Sequence, residues 1–220
     1  MSQAYYDPHN HPPSRQRRPA NKRDDAWIEA LLHRGEVAHI ATRWDEQLFQ
    51  TPTSYWYDAE RHALIFHSNR AGRIRANVER HPGVCVEVSE YGRFLASNDP
   101  LEASVQYCSV VVFGTAHVLT DPGEQRRALG GLLGKYFPQL ALGREIMPIN
   151  DAALARTSVY AVAIDEWSGK ENWAEVAAQT DAWPALEARW LGFDFKPSVN
   201  ESEGNGRNES GEGRRPNDNG

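Results

Sequence analysis

Hydrophobic and polar residues alternate along most of the middle of the chain, the period-two pattern of half-buried β-strands. Gly114 interrupts one of these alternating stretches, where a glycine indicates a bulge. A polar turn at residues 58–62 joins two of the stretches, which predicts an antiparallel meander. The predicted strands cover residues 37–42, 49–57, 63–67, 84–88, 105–119 and 158–167.

Three shorter segments instead place apolar residues at helical spacing. The first begins at Asp24 or Asp25 and ends at Gly35, the second covers residues 72–81, and the third runs from Asp121 to Pro138. Residues 91–104 read as a loop. Because no regular β-α-β alternation is present, the pattern disfavours a doubly wound parallel sheet and predicts a small closed or nearly closed barrel.

The two ends of the chain differ from the middle in composition. Residues 1–23 contain four prolines and few aliphatic side chains, and residues 197–220 are almost wholly Gly, Ser, Asn, Glu and Arg. Such segments bury too little apolar surface to offset the entropy of ordering. We therefore predict a disordered basic tail at 1–23, one folded domain at 24–196 and a disordered polar tail at 197–220.

Charge and hydropathy exclude several classes of function. The chain carries a formal net charge of −6 and the first tail is basic, so residues 24–196 hold about −8, which disfavours nucleic-acid binding. No apolar run approaches the roughly 20 residues of a membrane span, and no signal-peptide core is present. We expect a cytoplasmic protein without membrane contact, in which Cys85 and Cys108 are buried thiols and no metal site forms.

The stretch from Phe66 to Arg75 is the most informative for chemistry. A strand passes there through the polar turn Ser68-Asn69-Arg70 into a helix. Free backbone N–H groups and the positive end of the helix dipole favour an anion at such a junction. Arg73 and Arg75 add guanidinium groups that suit phosphate oxygens. An ordinary capped helix with a solvated basic face is the alternative reading of these residues.

Short motifs lie at residues 52–58, 65–68, 72–73, 81–88, 109–116 and 168–170. In this order and at this spacing they resemble the pyridoxamine-5′-phosphate-oxidase-like flavoproteins, and the closer subgroup includes nitroimidazole-resistance-type proteins. The resemblance spans about residues 25–175. The fold that it implies is mainly β with short helices, an FMN-binding split β-barrel.

The resemblance also implies a cofactor site. FMN would lie in a groove shared by two subunits of a homodimer, with its ring on the second strand and its phosphate after the third. Arg73 would hold the phosphate. The family often has Lys at the next position, where this chain has Ile74, so Arg75 or Arg70 would supply a second cationic contact. The cofactor-binding residues carried over are Thr53, Ser54, Tyr55, His67, Ser68, Asn69, Arg73, Arg75, Ser109, Val111, Trp167 and Lys170.

Two functions follow from this resemblance. The first is an FMN-dependent oxidoreductase that reduces a small electron-poor molecule, such as a nitroaromatic, with electrons from a reduced nicotinamide or another donor. The second is a non-enzymatic protein that stores or senses FMN or haem in the same groove. True pyridoxamine phosphate oxidases use an Arg-Xaa-His motif near the C-terminus, whereas the last histidine here is His117, which disfavours that activity. No catalytic residue is assigned.

Overall fold

The computed structural model describes residue 7 and residues 9–195. The period-two segments form antiparallel strands, as their alternation predicts. In chain order the strands are β1 (Lys22–Arg23), β2 (Ala38–Trp44), β3 (Gln47–Thr53), β4 (Trp56–Asp58), β5 (Ala63–Asn69), β6 (Gly83–Leu95), β7 (Ser104–Val118) and β8 (Thr157–Asn172).

All eight strands belong to one sheet with the order β3-β2-β6-β7-β8-β5-β4, and β1 adds to β8. The chain passes directly from β3 to β4, although these strands lie at the two ends of that order. The sheet therefore curls, and the fold is mainly β, the split barrel that the sequence predicts. Its interior is filled by alternate residues of the long strands, such as Val86, Val110, Val112 and Val162.

Helices cover the ends and one outer face of the barrel. They are α1 (Asp25–Arg34), α2 (Arg73–Arg80), α3 (Pro122–Tyr136), α4 (Asp151–Arg156) and α5 (Ala188–Leu191). The first three confirm the helical periodicity in the sequence. Leu31 and Leu32 of α1 are fully buried in the barrel core, whereas Ala128 and Leu132 of α3 pack on the outer faces of β5 and β8. Among the described residues, no helix is long and apolar enough to cross a membrane.

The strand predicted over residues 49–57 is wrong as one element, so the predicted meander divides into two antiparallel pairs, whereas the pairing across the turn at 58–62 is confirmed. The hydroxyl group of Tyr136 accepts a hydrogen bond from the backbone N–H of Tyr55 and also lies 3.0 Å from the carbonyl oxygen of Tyr55. These contacts take Tyr55 out of any strand ladder. The segment divides there, so β3 pairs with β2 while β4 pairs with β5.

Two glycines of the long strands allow close approach of other parts of the chain. The bulge predicted at Gly114 is confirmed, because the register shifts between Phe113 and Gly114, where a Cβ would lie 2.2 Å from the carbonyl oxygen of Ala163. The last strand, predicted over residues 158–167, continues through Gly169 to Asn172 as β8. A Cβ at Gly169 would lie 2.5 Å from Ile28, so this glycine makes room for α1.

The predicted boundary at the N-terminal end of the chain also changes. Disorder is wrong for residues 14–23, because Ser14 donates a 2.6 Å hydrogen bond to Glu166 and Gln16 donates to the carbonyl oxygen of Gly169. Arg23 pairs with Glu171 at 2.6 Å. Polar contacts hold this segment against β8, which an argument from apolar content misses. The predicted tail at 197–220 lies outside the described residues. The predicted loop at 91–104 begins later, since β6 continues to Leu95.

Candidate functional site

The junction between β5 and α2 forms the first part of the candidate site. The Asn69 side chain accepts a 3.0 Å hydrogen bond from the Ala71 backbone N–H and so turns the chain out of β5. Gly72 then precedes the helix without a side-chain cap, and the first turn of α2 contains no acidic residue. The backbone N–H groups at this helix end are therefore available to an anion, which the helix dipole also favours.

The two arginines of this turn lie on different sides of α2. The Arg73 guanidinium lies over the ring of Phe49 in β3, 4.4 Å from its centroid. Arg75 contacts β8 instead, where it donates a 3.2 Å hydrogen bond to the Ser158 hydroxyl, and it also pairs with Glu79. Arg73 is exposed and keeps its N–H groups accessible, whereas Arg75 is half-buried and partly neutralised.

His67 and Ser68 lie on opposite faces of β5. The Ser68 hydroxyl is 3.0 Å from the hydroxyl of Tyr160, which stacks on Phe66 inside the barrel. His67 lies on the outer face, and partial desolvation holds its pKa below the ordinary value for histidine. A lowered pKa favours the neutral imidazole, in which one nitrogen donates a hydrogen bond and the other accepts one.

A cavity of about 400 Å³ lies beside this junction. Arg70 and Arg75 form one wall, and apolar residues of the β7 end and α4, including Leu119 and Leu154, form another. The Arg70 side chain donates to the carbonyl oxygen of Ala155 at 3.2 Å. The junction thus continues into a space with two guanidinium groups and an apolar side.

The link between β3 and β4 forms the second part of the candidate site. Thr53 and Ser54 are half-buried, so both remain accessible there. Tyr55 differs from the prediction, because its ring is 1% exposed and its hydroxyl donates a 2.8 Å hydrogen bond to the carbonyl oxygen of Leu32. Its backbone polar groups contact Tyr136. Tyr55 therefore offers a ligand neither its ring nor its backbone N–H and C=O.

The remaining predicted residues lie together on β7 and β8. Ser109 pairs with Lys170 across the two strands, and the ammonium group of Lys170 lies 5.2 Å from the ring centroid of Tyr107. Val111 is half-buried on the outer face, whereas its neighbours Val110 and Val112 are core residues. Of these three valines, only Val111 therefore presents apolar surface on the outer face of the sheet.

Trp167 has a local packing role. Its indole N–H donates a 2.9 Å hydrogen bond to Asp25 of α1, and its ring lies 4.5 Å from that of His62 and 6.2 Å from that of Tyr57. These contacts tie β8 to α1 and to the turn between β4 and β5. The indole is half-buried rather than presented as a free stacking surface.

The predicted cofactor-binding residues do not all lie near one another within one chain. Asn69 pairs with Thr157 at the start of β8, whereas Lys170 lies near its far end. At about 3.3 Å of rise per residue, the strand between Thr157 and Lys170 is on the order of 40 Å long. Ser109, Val111 and Lys170 therefore cannot contact a ligand at the β5–α2 junction unless they come from a second subunit.

Sequence reasoning missed Lys135 and Tyr136 at the C-terminal end of α3. Tyr136 appears in the sequence as one more apolar residue at helical spacing, yet its hydroxyl contacts Tyr55 and lies 2.7 Å from the carbonyl oxygen of Glu36. Lys135 lies over the ring of Tyr55, with its ammonium nitrogen 3.5 Å from the centroid. No local motif marks either residue, because their partners are distant in the chain.

Known structures share this architecture. An FAD- and haem-binding protein from Mycobacterium smegmatis superimposes with a TM-score of 0.64 at 23% identity, covering 72% of this chain and 76% of its own. The flavocytochrome Anf3 from Azotobacter vinelandii superimposes with a TM-score of 0.68 at 20% identity, covering 88% of this chain and 92% of its own. A protein assigned to 5-nitroimidazole antibiotic resistance in Bacteroides thetaiotaomicron superimposes with a TM-score of 0.57 at 21% identity, covering 67% of this chain and 84% of its own.

The sequence itself places the chain in a family. A comparison with curated proteins gives no match. The family model described as pyridoxamine 5′-phosphate oxidase matches residues 24–171, which include every strand from β2 to β7 and nearly all of β8. Because that match covers most of the chain, this protein belongs to the pyridoxamine 5′-phosphate oxidase family and has its flavin-binding type of split barrel.

Proposed function

We propose that this protein binds FMN and acts as an oxidoreductase that reduces a small electron-poor substrate, with nitroaromatic compounds as the leading class. The observation that carries the proposal is the α2 N-terminus, which has no side-chain cap, no carboxylate in its first turn and the accessible guanidinium of Arg73. A phosphate dianion satisfies all three features at once, through backbone N–H groups, the helix dipole and a guanidinium fork.

The residues present fit a flavin phosphate at this junction. Arg73 is the primary cationic partner, since Arg75 is already engaged by Glu79 and Ser158. Ser68 and Asn69 supply polar groups on the β5 side of the turn. The hydroxyl of Ser68 can rotate between Tyr160 and a ligand oxygen, because hydroxyl groups both donate and accept.

The ring would lie along the β3–β4 link. Thr53 and Ser54 supply polar groups there, and Phe49 supplies an apolar surface beneath the Arg73 guanidinium. When bound, a flavin supplies the hydride and electron chemistry, so the protein needs to hold the ring, exclude water and leave one edge open. His67, whose pKa is lowered, contributes a neutral imidazole near the ribityl chain.

A homodimer completes this site in the proposal. Ser109, Val111 and Lys170 lie on one outer face, far along the strands from the phosphate turn, so a partner subunit would bring them to the flavin. Of the predicted residues, Trp167 is the least available to a flavin, because its indole already contacts α1 and His62.

FAD is the main alternative to FMN as the bound flavin. The M. smegmatis neighbour binds FAD and haem by its description, and the cavity of about 400 Å³ beside the phosphate turn carries Arg70 and Arg75 on one wall. Because Glu79 already pairs with Arg75, Arg70 is the guanidinium group that suits a second phosphate, and the apolar side suits an adenine ring. FMN, FAD and haem are therefore the ligands that the experiment must separate.

Identification of the ligand that co-purifies with the protein tests the proposal. We expect flavin absorbance, release of FMN on denaturation, and bleaching by NADH or NADPH under anaerobic conditions, with reoxidation by a nitroaromatic acceptor. A flavin that neither donor reduces would favour the second candidate, a non-enzymatic flavin carrier or sensor. A haem spectrum without flavin, or failure of apoprotein to bind either flavin, would contradict the proposal.

A further inference from the structure

A second cavity, of about 610 Å³, borders the β3–β4 link. Residues 33–37, at the end of α1, form one wall, and Lys135 and Tyr136 of α3 form another. Ser54 also lines it. The cavity therefore shares Ser54 with the segment on which we propose that the flavin ring lies.

Lys135 is an unusual residue to find in this wall. Its side chain is half-buried, its ammonium nitrogen lies 3.5 Å from the Tyr55 ring centroid, and it donates one hydrogen bond of 3.3 Å to the carbonyl oxygen of Leu32. No carboxylate of residues 7 and 9–195 lies within 4 Å of it. The ammonium group has three N–H donors, so at least one is left for a ligand in the cavity.

The other charged groups of the cavity do not compensate Lys135. Arg34 is already paired with Glu90, through two nitrogens at 3.0 and 3.1 Å. Glu36 lines the same cavity without approaching the ammonium group, and its carbonyl oxygen accepts from Tyr136. His33 and Tyr136 complete the titratable groups of the lining, and Tyr55 lies beneath. Burial without an ion pair lowers the pKa of Lys135 to about 8.

A desolvated cation without a counter-ion is costly, and an anionic ligand would remove that cost. We propose that this cavity binds a carboxylate group of the substrate, with Lys135 as the cation that holds it. The inference rests on the proposed function, because the shared Ser54 places the cavity next to the ring. It defines the substrate class as a small carboxylate-bearing molecule whose electron-poor end faces the flavin.

Two probes of the same size test this assignment on the protein as purified. 4-Nitrobenzoate carries the carboxylate and 4-nitrobenzamide does not, and isothermal titration calorimetry measures both without requiring turnover. At pH 7 we expect the carboxylate to bind roughly tenfold or more tightly, the range for a charged hydrogen bond. The preference should fall as pH rises above about 8, where Lys135 loses its proton.

Lys135→Met keeps the length of the side chain and removes the charge, so it should abolish the preference and leave the binding of the amide unchanged. Lys22→Met is the matched control, because it removes the same charge from an exposed lysine of β1. A folded Lys135→Met that still prefers the carboxylate would overturn the proposal, and so would equal binding of the two probes by the parent.

The pH titration of the parent keeps the test decisive if Lys135→Met does not fold. A carboxylate preference that stays constant from pH 7 to about pH 9.5 would exclude Lys135 as its source. Flavin content is measured separately. A protein that binds no flavin but prefers 4-nitrobenzoate would contradict the proposed function alone, whereas a flavin-loaded protein without the preference would contradict the carboxylate site alone.

Discussion

The hydroxyl group of Tyr136 lies 2.9 Å from the backbone nitrogen of Tyr55 and 3.0 Å from its carbonyl oxygen. One side chain of α3 therefore replaces the strand partner that Tyr55 lacks. This contact separates β3 from β4, and it fixes the link on which Thr53 and Ser54 lie. The last turn of α3 thus sets the shape of both the proposed ring site and the neighbouring cavity.

Tyr136→Phe should destabilise the fold, because the N–H of the buried Tyr55 would lose its acceptor. Leaving such a group unsatisfied costs about 1–3 kcal/mol in the free energy of unfolding. Urea denaturation measures the change. Tyr91→Phe is the control, since Tyr91 is 71% exposed and the loss of its hydroxyl should change little. Equal stabilities for the two variants would show that Tyr136 does not support the link.

Arg73→Ala should weaken FMN far more than riboflavin, which lacks the phosphate. A lost charged hydrogen bond costs about 1.5–3 kcal/mol, or roughly ten- to a hundredfold in affinity. Arg73→Lys should recover only part of this, because an ammonium lacks the planar fork. Fluorescence titration of apoprotein with both flavins measures the effect.

The control for Arg73 must lie outside any buried network. Arg61 would serve by its position in the sequence, but it lies 3.6 Å from the buried carboxylate of Asp58 and 3.3 Å from Glu124. Arg144 is better, because its side chain is 75% exposed and pairs only with its neighbour Glu145 among the described salt bridges. If Arg73→Ala binds FMN as tightly as Arg144→Ala does, the phosphate assignment is wrong.

Val111→Asp should convert the proposed dimer to a monomer and lower its flavin content, since a carboxylate at an apolar subunit interface would be desolvated without a partner. Analytical ultracentrifugation gives the mass, and absorbance gives the flavin content. Met147→Asp places the same charge at a position that is 72% exposed and should leave both unchanged. A flavin-loaded monomer of the parent protein would remove the basis for a shared site.

Deletion of residues 1–23 should lower the melting temperature, because it removes the Arg23–Glu171 ion pair, the hydrogen bonds of Ser14 and Gln16, and β1. Deletion of residues 1–10 keeps all of these contacts and should have a smaller effect. Differential scanning calorimetry compares the two. Equal melting temperatures would mean that residues 14–23 contribute nothing to the stability of β8.

Lys135 should make the stability depend on pH. Its pKa is about 8 in the folded chain, below the 10.5 of an unperturbed lysine. Between these values the unfolded chain holds a proton that the folded chain has lost, so the free energy of unfolding should increase with pH. Urea denaturation from about pH 8 to 9.5 measures the free energy of unfolding of the parent and of Lys135→Met. The difference between the two isolates the contribution of Lys135 from those of tyrosines and thiols. A difference that does not change with pH would contradict the lowered pKa.

The sequence by itself determined the local structure. Period-two alternation located most of the strands, helical spacing located α1, α2 and α3, and Gly114 marked the bulge, because each signal depends on neighbours within a few residues. The turn from Ser68 to Arg75 was also readable as an anion site. A strand that ends in an uncapped helix start is a local feature, and so are the arginines that follow it.

The tertiary structure alone decided which of these features meet. No local signal separates β3 from β4, since the separation depends on a hydroxyl 81 residues away along the chain. The same holds for residues 14–23, whose partners are on β8, and for the divergence of Arg73 and Arg75, which is set by Phe49 and Ser158. Lys135 becomes distinctive only when packing places it over Tyr55, because desolvation is a property of the assembled fold and not of the residue.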